Sequence, residues 1–129
     1  METGITTLSP ELLALIGSGG VTALAPFTRE IYLLDITVAG TSFCATIDEI
    51  EAQLTEGVVL KMLRDPSNKH DQQAIGIYLD TTRIGWVPQE QNEVISRLMD
   101  AGKAFFCRVI YTARKGSWRK VKVKIFMVE

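Results

Sequence analysis

Histidine and cysteine are nearly missing from this chain: one of the former and two of the latter stand among 129 residues. His70 has no second histidine and no neighbouring cysteine with which to fill a zinc site, so the ligand count speaks against a metal centre. Cys44 and Cys107 lie 63 positions apart in apolar, strand-like sequence. Neither a CxxC redox motif nor a zinc knuckle can be drawn from them, and both are expected as buried, reduced thiols. No serine or cysteine sits in a nucleophile motif, and no acidic pair is spaced on one element as general acid and base. Neither enzyme activity nor a cofactor is expected. The run Gly17-Ser18-Gly19-Gly20 follows a helix rather than a strand and lacks the lysine and hydroxyl of a phosphate-binding loop. Apolar runs long enough to span a bilayer are absent, and residues 1 to 9 lack a basic start followed by an apolar core. A cytoplasmic location and no membrane partner follow as expectations.

A large excess of one charge is also lacking, the net charge being −1. That excludes the uniformly basic surface of many non-specific nucleic-acid binders. The distribution is nevertheless polarised. From residue 101 onward eight basic residues face Glu129 alone, whereas the first hundred residues hold six basic and fourteen acidic ones. Such asymmetry can focus a field on an anionic ligand even when the total is near zero.

What is present is the composition of an ordinary globular domain, 47% hydrophobic and 22% charged, in a chain long enough to bury a core without staples. Ser9-Pro10-Glu11 starts a short helix with a hydroxyl cap and proline at the first helical position, and Leu12, Leu13, Leu15 and Ile16 give it an apolar stripe. So short a helix needs a surface to dock on: its own domain, a second copy or a protein partner. The organisation expected is an N-terminal extension over residues 1–27 and a folded domain over residues 28–129. Alternation predicts strands over residues 31 to 38, with Tyr32, Leu34, Ile36 and Val38 on one face, and over residues 58 to 63. Further strands are predicted over residues 74 to 79, 83 to 87, 104 to 113 and 118 to 128, and Pro88 closes the fourth. Helical spacing places Ile47, Ile50 and Leu54 together on one helix and Val94, Ile95, Leu98 and Met99 on another. In the final hairpin, Cys107, Val109 and Tyr111 are expected on the core face opposite Val121, Val123, Ile125 and Met127. Arg108 and Arg114 then share a basic stripe with Lys120, Lys122 and Lys124. Six strands with two small helices favour a compact barrel.

The most informative segment joins the second and third strands: Arg64-Asp65-Pro66, then Asn68-x-x-Asp71-x-x-Ala74-Ile75, a strand, and Ile84-Gly85-x-Val87-Pro88. With Gly40 and Phe43, and in register over residues 38 to 128, this resembles the HIRAN domain. The resemblance implies an all-β to α+β fold, a small OB-like six-stranded β-barrel with two short helices. It implies a nucleic-acid-binding module that takes the free 3′ end of single-stranded DNA. Family members occur as accessory modules of Snf-type DNA translocases that act at stalled replication forks, and as free-standing bacterial and phage proteins; this length points to the free-standing type. Asp71 matches the loop aspartate that accepts a hydrogen bond from the terminal 3′ hydroxyl, and Phe43 matches an aromatic residue lining the base pocket. His70 occupies a position usually held by tyrosine. Ser42 stands where the DNA-binding eukaryotic members carry arginine, Trp86 falls where they have a pocket histidine, and Tyr111 lies near a further pocket aromatic. Lys120, Lys122 and Lys124 complete the expected DNA-binding set. Ser42, the acidic first hundred residues and the N-terminal helix motivate an alternative, a protein-interaction adaptor that has kept the barrel without DNA affinity.

Overall fold

A computed structural model describes residues 29 to 129, and the compact unit within them runs Ile31–Val128. The N-terminal helix expected after Ser9 lies outside the described residues. Among the described residues six strands form one sheet: β1 (Glu30–Thr37), β2 (Val59–Arg64), β3 (Ile75–Leu79), β4 (Thr82–Trp86), β5 (Ala104–Lys115) and β6 (Trp118–Val128), in the order β1-β6-β5-β2-β3-β4. The pairings β2–β3, β2–β5, β3–β4 and β5–β6 are antiparallel. Two short helices interrupt the strands, α1 (Ile47–Ile50) and α2 (Glu93–Asp100). The helix expected to carry Ile47, Ile50 and Leu54 is therefore a single turn, continued by a 3-10 turn at Glu51–Gln53.

Alternation gives each strand its inner face. Leu60 and Met62 of β2 are buried while Val59, Lys61 and Leu63 are exposed. Opposite them Ile75 and Ile77 are fully buried, as are Cys107, Val123 and Ile125 across the β5–β6 ladder. Both cysteines are free and buried, and burial pushes the Cys107 thiol up to about 12, the direction that desolvation of a thiolate demands.

Three expectations need correction. The sheet is not closed into a barrel: its outer strands meet only where Ala39, just beyond β1, forms one isolated bridge to Trp86 of β4. Their N–H groups donate to each other's carbonyls, both at 2.8 Å. Second, Tyr111 is not on the core face. The ladder pairs Val109 with Val123 but Tyr111 with Lys122, so Ile110 is an extra residue in β5. A bulge of one residue reverses the facing of every later side chain. Tyr111 consequently joins the lysine face, where it is 44% exposed, and Arg114 leaves it to pair with Glu51 at 2.8 Å. Third, Val94 is exposed on α2 while Ile95 and Ser96 face inward, and Tyr32 lies exposed at the start of β1.

Candidate functional site

The loop between β2 and β3 carries the motif residues, and most of them build the loop itself. The guanidinium of Arg64, at the end of β2, donates to the carbonyls of Ala74 at 2.7 Å and Gln72 at 2.9 Å. Its Nε also donates to Asp100 of α2 at 2.8 Å, and that hydrogen bond holds the Asp100 carboxyl below its ordinary value. Inside the loop the Asn68 side-chain oxygen accepts the N–H groups of His70 at 2.8 Å and Asp71 at 3.1 Å. Asn68 in turn donates to Asp65 at 3.2 Å. Short polar side chains closing local backbone turns are the expected chemistry of such a segment.

Asp71 is oriented from two sides. One carboxylate oxygen accepts the Gln73 N–H at 2.9 Å and the other accepts Nδ2 of Asn92 at 2.7 Å. Asn92 is only 1% exposed and stands at the N-terminus of α2, yet makes no side-chain cap there. A carboxylate oxygen has two acceptor positions, so each keeps one after these bonds.

The second wall comes from the turn after β1, and the third from the end of β4. Thr41–Phe43 forms a 3-10 turn in which Thr41 is buried and its hydroxyl donates to the Arg119 carbonyl at 2.8 Å. Phe43 projects outward, 82% exposed. Gly40 precedes the turn with φ +75°, and a Cβ there would meet the Trp86 ring at 2.7 Å. Gly85 is as restricted, since a Cβ would lie 2.3 Å from the Ala39 carbonyl oxygen. The two glycines thus let the edge strands approach and the indole pack closely against Gly40. Trp86 carries the Arg83 guanidinium 4.5 Å from its ring centroid. Its indole N–H is buried without an acceptor, the one such side-chain atom among the described residues.

Between these walls is an open cavity of about 460 Å³ lined by Ala39, Gly40 and Phe43, by Asn68, His70, Asp71 and Ala74, and by Trp86, Val87 and Gln89. Four expected site residues, Phe43, His70, Asp71 and Trp86, share it. Ser42 is exposed on the same turn but does not line it. Tyr111 lines a separate depression with Asp48, Glu51 and Arg114. Lys120, Lys122 and Lys124 lie along β6, outside the cavity. Sequence reasoning missed Asn92 and Gln89; Asn92 lies 21 positions from Asp71, and no local pattern links the two. Among the described residues no group of histidine, cysteine and carboxylates is arranged to hold a metal, and no helix is long and apolar enough to cross a membrane.

A small open antiparallel sheet with a loop-lined cavity where its edges meet defines the class of protein. The sequence pattern of the HIRAN domain matches residues 31–128, and the chain belongs to that family. Two solved structures share the fold. A protein from Lactobacillus plantarum is 21% identical with a TM-score of 0.72, covering 79% of this chain and 98% of its own. The HIRAN domain of human HLTF is 14% identical with a TM-score of 0.61, covering 77% of this chain and 78% of its own. No curated protein matches the sequence.

Proposed function

We propose that this chain is a nucleic-acid-binding module whose cavity takes the 3′ end of single-stranded DNA, as a repair or replication-fork activity would require. The observation that carries this reading is the pairing, in one cavity, of an outward-standing aromatic ring with an oriented carboxylate: Phe43 is 82% exposed, and Asp71 is held by Asn92 and the Gln73 N–H. A terminal base stacks on Phe43 with His70 beside it, since stacking on a ring accepts any base. The terminal 3′ hydroxyl donates to the acceptor position that Asp71 retains. An internal nucleotide has no such hydroxyl, and a 3′ phosphate brings a negative charge against a carboxylate, so both are disfavoured.

The test compares oligonucleotides ending in a 3′ hydroxyl and a 3′ phosphate. The unmodified protein is expected to prefer the hydroxyl, and Asp71→Ala to lose about 1.5 to 3 kcal/mol of that binding. Equal affinity for both ends overturns end recognition. No binding of either at low salt favours the adaptor reading.

A further inference from the structure

Outside the cavity, the outward face of β5 and β6 gathers basic and aromatic side chains that the fold does not need for its core. Lys120, Lys122 and Lys124 alternate with the buried Val121, Val123 and Ile125, so all three lysines point outward. Alternate strand residues lie roughly 6.6 Å apart, a spacing of the order of one phosphodiester repeat in an extended strand. Among the described residues no carboxylate is paired with any of the three, whereas Arg114 and Arg119 nearby are committed to Glu51 and Asp48. Each end of the lysine row carries a tyrosine. The Lys120 ammonium lies 5.5 Å from the Tyr111 ring centroid, and Lys124 lies 5.5 Å from that of Tyr32. Tyr32 and Tyr111 are 52% and 44% exposed. The Tyr111 hydroxyl sits below its ordinary value through its hydrogen bond to Lys120, aided by the charges of Lys122 and Lys115. The cations that act on Tyr111 thus belong to this face, and at the other end of the row the Tyr32 hydroxyl donates to Asp35 at 2.7 Å.

The row also begins beside the cavity. The Val38 N–H donates to the Val121 carbonyl at 2.9 Å and the Thr41 hydroxyl to the Arg119 carbonyl at 2.8 Å. Lys120 lies between these two anchors of the cavity wall.

We propose that this face is a second contact surface for the same DNA strand: nucleotides beyond the captured end lay successive phosphates along Lys120, Lys122 and Lys124 and stack bases on Tyr111 and Tyr32. The proposal rests on the end-binding reading. Its occupant is a single strand rather than an acidic peptide, because phosphate-spaced cations alternating with exposed rings match both the charge and the π-faces of a nucleic acid.

The experiment measures binding of 3′-hydroxyl oligonucleotides of about 4 and about 16 nucleotides, the range of site sizes for related folds, against salt concentration. The longer one is expected to bind more tightly. Lys122→Ala should make its logarithmic salt slope shallower by about 0.7, and Tyr111→Ala should weaken it about 5-fold or more. Both variants should bind the short one unchanged and keep the preference for a 3′ hydroxyl. Equal affinity for both lengths, or an unchanged slope in Lys122→Ala, overturns the second surface while leaving the end-binding reading intact. Loss of 3′ preference in the unmodified protein alongside the expected slope change overturns the end-binding reading instead. Binding of a glutamate-rich peptide in place of DNA overturns the choice of occupant.

Discussion

Asn92 stands where a helix ordinarily takes its cap, but its side chain reaches 21 positions back along the chain to Asp71 instead. Forgoing a cap costs about 1 kcal/mol in a typical helix, so this helix start gives up local stability to fix a carboxylate in the cavity. Asn92→Ala is expected to lower protein stability by about 1 to 3 kcal/mol, because it leaves a partly buried acceptor unpaired. It should also reduce the preference for a 3′ hydroxyl, which replacing exposed Gln91 should not. Denaturant unfolding and the end-preference assay read the two effects separately. At this scale the motif residues were visible in the sequence, whereas the division of labour among them was not. Arg64, Asp65 and Asn68 close the loop on itself, while Asn68, His70 and Asp71 of that segment line the cavity. Sequence spacing identifies which residues recur, not which of them face inward.

The elements themselves were largely legible, since alternation dictates which face of each strand is buried. In the expected strands Leu60, Ile75, Ile77, Val109, Val123 and Ile125 are buried, and Leu34 packs against them half-buried. What alternation could not reveal is the extra residue at Ile110. A bulge adds no signal of its own in the sequence, and through it Tyr111 and Arg114 exchanged faces. The helix α2 shows a second kind of dependence, its attachment to β2 through Asp100 and Arg64. The Asp100 carboxyl is held below its ordinary 3.8 by the hydrogen bond from Arg64. A lowered folded-state value means that the pair's contribution is present above the ordinary value and is lost as pH falls through the lower one. The stability difference between the unmodified protein and Asp100→Asn is therefore expected to be constant near neutral pH and to vanish as the pH drops below 3.8. A difference that persists in acid would assign the effect to something other than this ion pair.

On the scale of the whole molecule, the strand count was legible and the closure was not, because closing a sheet depends on tilt and stagger between strands rather than on the pattern within any of them. The cavity was hidden for a related reason: its three walls come from segments far apart in sequence and adjoin only where the sheet's edges approach. Gly85 governs that approach. Gly85→Ala is expected to destabilise the protein by about 1 to 3 kcal/mol, since the added methyl meets backbone that cannot yield without moving β1 away from β4, and a lowered denaturant midpoint would register it. An unchanged midpoint would mean that the two edges separate freely.

The seam at Ala39 and Trp86 is a single isolated bridge, a joint expected to be less durable than the ladders on either side of it. Two hydrogen bonds join the walls there, and a typical intramolecular hydrogen bond is worth about 0.5 to 1.5 kcal/mol net, well short of the roughly 5 to 15 kcal/mol that holds a whole domain together. The seam is therefore expected to open locally more often than the domain unfolds globally, and faster amide exchange at Ala39 and Trp86 than within the β5–β6 ladder would register it. Such an opening would part the turn bearing Phe43 from the strand bearing Trp86 and leave the pairings of β2, β3, β5 and β6 in place. A ligand that touches both walls of the open cavity is expected to raise the protection of this joint, which amide exchange with and without the oligonucleotide would read.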